Sequence, residues 1–320
     1  MEERIKLYLA NTGKSGQIGG GWTFLSNLRK GLGDKVEFVN TVEDCNILFI
    51  FGVTAVSKDD VYKAKKLGKK ICLRADNIPK KSRNKGMSPA ERLAEFGKMA
   101  DKVVYQSEWC KEYAGYFAGE GVIINNGVDT DIFNTEGRKS DGHTYLYINY
   151  NDNPNKRFDE ALYWFDMAWR ADHDNHLWIA GNAPKVYIEN PDFNWDLPTP
   201  GKVEYLGVMN TPEEVAKLMK KSDFLLFPSF AEACPNTLLE AIACGVKPLC
   251  ICEEGGAIEV VRQFIPKPIN LALWNMRKNT DKRLDLIPGN VKTIQEMGQE
   301  YLKIFQDICQ KEENLAVNKS

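Results

Sequence analysis

The stretch DFLLFPSFAEACPNTLLEAIACG, residues 223–245, indicates the fold class of this chain. Residues 223–227 are apolar enough for a buried strand, and a helical pattern begins at about Pro235 after a short loop. Proline at the first helical position and Gly245 just after the last fit the residue preferences of helix ends. A buried strand that leads through a short loop into a helix is the repeating unit of a parallel α/β sheet.

The same alternation of apolar strands and helices recurs on both sides of this unit. Further strands are predicted in IKLYLA, VEFVN, NILFIFG, KICLR, KVVYQS, VIINNG, TYLYINY, HLWIAG, VEYLG and KPLCI. A polar, turn-rich stretch near residues 134–142 interrupts the pattern once. We therefore predict two doubly wound parallel-sheet domains, residues 1–138 and 139–290, that face each other across a cleft. An amphipathic helix within residues 291–320 could pack back on the first domain.

Composition limits the class of protein. The chain has 320 residues, of which 43% are hydrophobic and 27% charged, as expected for about two globular domains. No apolar run is long enough for a membrane span, and the first residues lack a signal-peptide pattern. We therefore expect a cytoplasmic protein, with peripheral contact at the inner face of a membrane left open. Three histidines leave little for a histidine metal site, and Asp172-His173-Asp174 is interpreted as a solvated turn.

Basic residues are concentrated in the first half of the chain. The stretch Lys58–Lys98 contains 13 basic and 5 acidic residues, although the formal net charge of the whole chain is −2. This balance excludes a uniformly basic nucleic-acid coat but allows a local basic patch. Arg74 and Asp76 follow the strand KICLR, where site residues gather. Lys80, Lys81 and Arg83 could bind a phosphorylated acceptor, and an ordinary solvated basic loop is the alternative.

A glycine-rich loop, residues 11–22, follows the first predicted strand. It is not a P-loop, because Tyr8 stands where that motif requires a glycine. The dinucleotide fingerprint fails too, because Phe24 replaces its third glycine. What remains is a turn at a helix N-terminus whose backbone, at Gly20 and Gly21, could approach a ligand. A mobile surface loop is the alternative interpretation.

Two carboxylates flank the start of the helix in residues 223–245. Glu232 lies in the loop, and Glu240 lies one turn inside the helix, where helical side chains lean back towards the N-terminus. The first-turn amides carry the positive end of the helix dipole. An anion site between carboxylates that suit hydroxyl groups matches a nucleotide sugar. An amphipathic helix with a surface glutamate is the plain alternative.

Five ordered motifs resemble those of retaining GT-B glycosyltransferases, the family numbered 4 or "glycosyl transferases group 1". Residues 228–245 resemble the family's Glu-x7-Glu signature, and Asn126-Gly127-Val128-Asp129 with Phe133 resembles its NGVD linker motif. The strand HLWIAG, the base-wrapping stretch at residues 203–229 and the GGxxE segment at residues 255–259 complete the series. The resemblance implies the GT-B fold, with the acceptor in the first domain and the donor in the second.

The resemblance also implies roles for particular residues. Glu232 would contact the donor sugar, Glu240 the ribose hydroxyls, and Lys156 the leaving diphosphate. Asn151 stands where the family has a second cation, for which Arg157 or Lys14 could substitute. The catalytic set is Glu232, Lys156 and Asp76. The donor-binding set is Gly20, Gly21, Lys156, Arg157, Met209, Ala233, Cys234, Pro235, Asn236, Thr237 and Glu240. The acceptor-binding set is Arg74, Asp76, Lys80, Lys81 and Arg83.

The expected activity is transfer of a hexose-type sugar from a nucleotide sugar to an acceptor hydroxyl, with retention at the anomeric carbon. No metal or other cofactor is expected, because the leaving group is stabilised by protein charges. The acceptor is open: a glycan, a lipid-linked sugar at a membrane surface, or DNA with a hydroxylated base that meets Lys58–Lys98. Two alternative functions are left open. The chain could be a nucleotide-sugar-binding protein with weak or lost catalysis, or it could be a sugar-phosphate epimerase or phosphorylase.

Overall fold

The computed structural model describes residues 4–10, 20–75, 88–149, 153–182, 202–250, 254–264 and 291–317. The chain divides into two compact units. The first unit comprises residues 1–127 and 292–320, and the second comprises residues 128–291.

Within its described residues, the first unit contains a sheet of six parallel strands in the order β2-β1-β3-β4-β5-β6. The strands are β1 Ile5–Ala10, β2 Val36–Val39, β3 Ile47–Ile50, β4 Lys70–Ala75, β5 Lys102–Tyr105 and β6 Val122–Ile123. The helices before residue 127 are α1 Gly20–Leu32, a 3-10 turn Gly33–Lys35, α2 Lys58–Lys66, α3 Ser88–Met99 and α4 Glu108–Ala118. Every residue of β3 is buried, as expected for a central strand covered on both faces.

The second unit contains a parallel sheet of five described strands in the order β11-β10-β7-β8-β9. The strands are β7 Thr144–Asn149, β8 His176–Gly181, β9 Val203–Gly207, β10 Phe224–Phe227 and β11 Lys247–Cys250. Its helices are a 3-10 turn Pro154–Lys156, α5 Phe158–Ala171, α6 Pro212–Met219, α7 Asn236–Ala243 and α8 Gly256–Phe264. The strand order reverses between β7 and β10, so the loops that leave these strands lie at the topological switch point, where open α/β sheets bind ligands.

The boundary between the two compact units falls after Gly127, whereas the sequence predicted a domain boundary after Arg138. Val128 and Phe133 are buried in the core of the second unit. The backbone N–H of Lys139 donates to the carbonyl of Lys220 at 3.0 Å. The polar composition of this stretch suggested a linker, but its few apolar residues anchor it to the second unit.

The last helix, α9 Ile294–Val317, completes the core of the first unit. Tyr301 and Phe305 are fully buried and pack edge-on against Phe49 of β3, with ring centroids 5.5 and 5.8 Å away. A β-carbon at Gly298 would lie 2.4 Å from the backbone of Gly31, so glycine permits the close approach of α9 to α1. No helix in the described part of the chain is long and apolar enough to cross a membrane.

Candidate functional site

Lys156 and Glu232 form an ion pair at the switch point of the second sheet. Lys156 ends the 3-10 turn after β7, and Glu232 lies in the loop after β10. The Nζ atom of Lys156 lies 2.8 Å from Oε1 of Glu232, and the two side chains are 24% and 13% exposed. The backbone N–H of Phe230 donates to the carbonyl of Asn155 at 2.8 Å, which ties the two loops together. Neighbouring parallel strands thus bring together two predicted catalytic residues that are far apart in the chain.

Helix α7 begins directly after this loop. It starts at Asn236, and Pro235 is the N-cap residue. The sequence predicted Pro235 as the first helical residue, so the helix begins one residue later than predicted. Pro235 makes no side-chain hydrogen bond to the first turn, so the cap itself does not compete with a ligand for the first-turn amides. The side chains of Ala233 and Cys234 are buried, so the backbone is the part of these two residues that could meet a donor. Thr237 in the first turn is half-buried.

Glu240 lies one turn inside α7 and is half-buried. Its carboxyl group makes no hydrogen bond or salt bridge with another described residue. Desolvation raises the pKa of Glu240 from 4.5 to about 7. A carboxyl group with this pKa accepts hydrogen bonds from ligand hydroxyl groups when it is ionised, and it can also donate one when it is protonated.

The other predicted donor-binding residues lie in different settings. Arg157 has a positive φ of 48° and is the N-cap residue of α5, and its guanidinium pairs with the carboxylate of Glu160. Met209 is half-buried against the core of the second unit. Gly20 and Gly21 open α1 in the first unit.

Arg74, which the sequence predicted as an acceptor contact, is buried inside the first unit. The residue is 2% exposed, and its guanidinium lies 3.7 Å from the ring centre of Phe24. It donates to the carbonyl of Phe51 at 3.1 Å and to the side-chain oxygens of Gln106 and Asn126. The position at the end of β4 was predicted correctly, but the side chain links loops inside the first unit.

The remaining acceptor residues, Asp76, Lys80, Lys81 and Arg83, lie outside the described residues, as do Lys14 and Asn151. In the described part of the basic stretch, several lysines engage the protein itself. Lys58 pairs with Glu95 at 2.6 Å, and Lys63 pairs with Glu43. Lys69 donates to the carbonyl of Glu43 at 2.7 Å. Part of the positive charge of this stretch is therefore offset locally.

The described residues contain no cluster of three or more His, Cys, Asp or Glu side chains arranged to hold a metal ion. Asp172 pairs with His143 at 3.5 Å and accepts from the backbone N–H of Asp174 at 3.0 Å. These contacts agree with the interpretation of residues 172–174 as a polar turn.

The structure adds residues around Glu232 to which the sequence assigned no role. Ala231 has a positive φ of 55°, and its N–H donates to the carbonyl of Glu254 at 3.2 Å. The N–H of Gly256 donates to the carbonyl of Glu232 at 2.8 Å. The GGxxE match was the one sequence signal that pointed to this segment.

Comparisons with known proteins agree with this architecture. Residues 129–267 match the family model described as "Glycosyl transferases group 1". A similar structure is Anabaena Alr3699/HepE in complex with UDP and glucose, with a TM-score of 0.67, 14% identity, and 95% of this chain and 100% of that chain covered. Sucrose-phosphate synthase (tll1590) from Thermosynechococcus elongatus has a TM-score of 0.65 and 13% identity, with 98% and 99% covered. A glycosyltransferase from Rickettsia africae ESF-5 has a TM-score of 0.66 and 16% identity, with 97% and 99% covered.

A search of curated protein sequences found no match. At these identities the structural likeness shows the fold, and the family match covers most of the second unit. The predicted fold and the predicted resemblance to glycosyl transferases group 1 are confirmed: this chain has the GT-B fold of glycosyltransferases, and residues 129–267 of its second unit match the model of that family.

Proposed function

We propose that this protein transfers a sugar from a nucleotide-sugar donor to a hydroxyl group of an acceptor. The observation that carries the proposal is the Lys156–Glu232 pair, 2.8 Å apart and beside the N-terminus of α7. Positive charge, carboxylates and a helix terminus thus meet where a parallel sheet binds its ligands. The match to glycosyl transferases group 1 and the UDP and glucose in the Anabaena Alr3699/HepE structure support this choice.

In the proposed complex, each part of the donor meets a different group of the second unit. The ribose hydroxyls bind the carboxyl group of Glu240, whose raised pKa leaves it ready to accept or to donate a hydrogen bond. The backbone amides of residues 233–236 bind the distal phosphate, aided by the helix dipole. Glu232 binds hydroxyls of the sugar, and Lys156 lies next to the diphosphate.

The proposed reaction breaks the bond between the anomeric carbon and the diphosphate oxygen. The acceptor oxygen then bonds to the same face of that carbon, and the acceptor proton passes to the departing diphosphate. Lys156 and the start of α7 stabilise the negative charge that develops on the leaving group. The outcome is retention at the anomeric carbon, and we propose a hexose as the sugar. Because protein charges stabilise the leaving group, we expect a metal chelator to leave turnover unchanged.

A second candidate is a nucleotide-sugar-binding protein with weak catalysis. It is favoured by the pairing of Arg157 with Glu160, because Arg157 is one of the two cations proposed to assist Lys156. A guanidinium held by a neighbouring carboxylate contributes less charge to the diphosphate. Binding without turnover would identify this second function.

The donor can be identified with a thermal-shift panel of nucleoside diphosphates and nucleotide sugars. A ligand at about 100 times its Kd stabilises the protein by about 2.7 kcal/mol. We expect at least one nucleotide sugar to raise the unfolding temperature. A panel without any stabilising member would contradict the proposed function.

The stabilising nucleotide sugar is then incubated with candidate acceptors, and the product is analysed by NMR. We expect a new glycoside with the same anomeric configuration as the donor. An inverted product would contradict the proposed mechanism, and an unlinked epimer or a sugar phosphate would indicate an epimerase or a phosphorylase instead.

A further inference from the structure

Two residues other than glycine have a positive φ in the described part of the chain, Arg157 at 48° and Ala231 at 55°. Arg157 directly follows Lys156, and Ala231 directly precedes Glu232. Both members of the ion pair therefore adjoin a backbone conformation that L-residues rarely adopt. Such conformations persist where the surrounding structure enforces them, and they cluster at functional sites.

Residues 254–256 enforce the conformation at Ala231. The N–H of Ala231 donates to the carbonyl of Glu254 at 3.2 Å, and the N–H of Gly256 donates to the carbonyl of Glu232 at 2.8 Å. The two bonds run in opposite directions and enclose the peptide unit between Ala231 and Glu232. Ala231 is also fully buried, so its turn has little room to relax.

Gly255, between these two hydrogen-bonding residues, packs directly against this peptide unit. A β-carbon at residue 255 would lie 2.9 Å from the carbonyl oxygen of Glu232 and 3.0 Å from its nitrogen. Gly255 also has a φ of +127°, which L side chains rarely adopt. Its lack of a side chain is therefore what allows residues 254–256 to pack directly against the backbone of Glu232.

The Lys156 turn is tied to the same loop from the other side. The N–H of Phe230 donates to the carbonyl of Asn155 at 2.8 Å. Main-chain contacts therefore fix the two loops that carry Lys156 and Glu232. The direction of the Glu232 carboxylate follows from the position of its own backbone, and that position depends on how closely residue 255 packs against it.

We propose that Gly255 is a positioning residue for Glu232. By packing against the backbone of Glu232, it holds the turn at Ala231 and keeps the carboxylate in contact with Lys156. The effect expected on catalysis rests on the proposed function, whereas the effect expected on the ion pair does not.

The kinetic test compares Gly255→Ala with the control Gly137→Ala, each in the wild-type and Glu232→Gln backgrounds. Gly137 also has a positive φ, +69°, but nothing lies within 4 Å of its position for a β-carbon. We expect Gly255→Ala to lower kcat at least about tenfold with little change in the donor KM, and to cause no further loss when Glu232 is already Gln. Gly137→Ala should leave both constants unchanged. Equal losses in the two backgrounds, or full activity of Gly255→Ala, would overturn the proposal.

A second test needs no activity. A double-mutant cycle of Lys156→Ala and Glu232→Gln, read out as the unfolding temperature, measures the coupling of the pair. We expect coupling in the wild type and in Gly137→Ala, and none in Gly255→Ala. Coupling that is absent from the wild type, or that survives in Gly255→Ala, would overturn the inference. If the wild type turns over no nucleotide sugar but Gly255→Ala still abolishes the coupling, the proposed function fails and the positioning role stands.

Discussion

Each of the two sheets places a basic side chain at the carboxyl ends of its strands, and the two side chains differ in burial and in the groups that they contact. Arg74, at the end of β4, is 2% exposed and engages two loop side chains, a carbonyl and an aromatic ring. Lys156, after β7, keeps 24% of its side chain exposed and pairs with a carboxylate that is also partly exposed. The edge of a parallel sheet shows where to look for a site. Exposure then separates a charge that holds the protein together from one that is available to a ligand.

The largest expected effect concerns Lys156, the partly exposed residue of this comparison, and is a loss of activity. Lys156→Ala should lower kcat for donor turnover by about 10²–10³, because similar electrostatic contacts to developing charge contribute that much. Lys139→Ala is the matched control, since Lys139 is exposed and precedes β7, at the opposite edge of the same sheet. Steady-state kinetics of both variants check the prediction. Equal rates for the two variants would remove Lys156 from the mechanism.

For Arg74, the buried residue of this comparison, we expect a loss of stability instead. Arg74→Met removes a buried donor to the oxygens of Phe51, Gln106 and Asn126, so we expect the free energy of unfolding to fall by about 3 kcal/mol. Arg29→Ala, which removes an exposed guanidinium over the ring of Phe38, should cost less than about 1 kcal/mol. Urea unfolding measures both. The interpretation of Arg74 as structural fails if Arg74→Met is as stable as the wild type.

A smaller effect concerns pH and the carboxyl group of Glu240. Its pKa of about 7 lies above the ordinary value of 4.5, so its contribution to the stability of the ligand-free protein is present below pH 4.5 and is lost as the pH rises through 7. Two ribose hydroxyls that donate to the group favour its ionised form. Donor binding should therefore tighten by about tenfold between pH 6 and pH 8.

Calorimetric titration with a nucleotide sugar, whose diphosphate does not titrate near pH 7, measures this change. In Glu240→Gln the affinity should be weaker and independent of pH in this range. A pH dependence that survives in Glu240→Gln would assign it to another group. The same substitution should make the ligand-free protein more stable than the wild type at pH 8, since it removes a charge that is poorly solvated in the folded protein.

The smallest effect concerns the basic stretch of the first unit. In the Lys58–Glu95 pair the lysine side chain is 49% exposed and the glutamate 26%, so Lys58→Ala should lower the free energy of unfolding by less than about 1 kcal/mol. Chemical denaturation in low and high salt measures it, and the difference from the wild type should shrink at high salt. A loss as large as that of Arg74→Met would show that this surface charge is structural as well.

The fold could be predicted from the sequence because its signals are local. The strands HLWIAG and VEYLG begin and end where the apolar runs do, at His176–Gly181 and Val203–Gly207. The division between the two units lies before the polar stretch used to predict the domain boundary, because composition does not reveal that Val128 and Phe133 enter the core of the second unit. The start of α7 was predicted to within one residue from the proline rule.

The site was predicted as a set of residues and not as an arrangement. A motif placed Glu232 and Lys156 in the same reaction, but their direct contact depends on which strands are neighbours in the sheet. The burial of Arg74 and the positive φ of Ala231 depend on packing by distant segments, which no local pattern records. Long-range contacts therefore account for what the sequence left out.

The central claim is that the carboxyl edge of the second sheet binds a nucleotide sugar and releases its diphosphate with the help of the Lys156–Glu232 pair. Its most direct test is the rate of nucleoside diphosphate release, with and without acceptor, by the wild type, Glu232→Gln and the exposed control Glu136→Gln. The account predicts release by the wild type and Glu136→Gln, and a loss of about 10² or more in Glu232→Gln. Equal rates for all three proteins would contradict it.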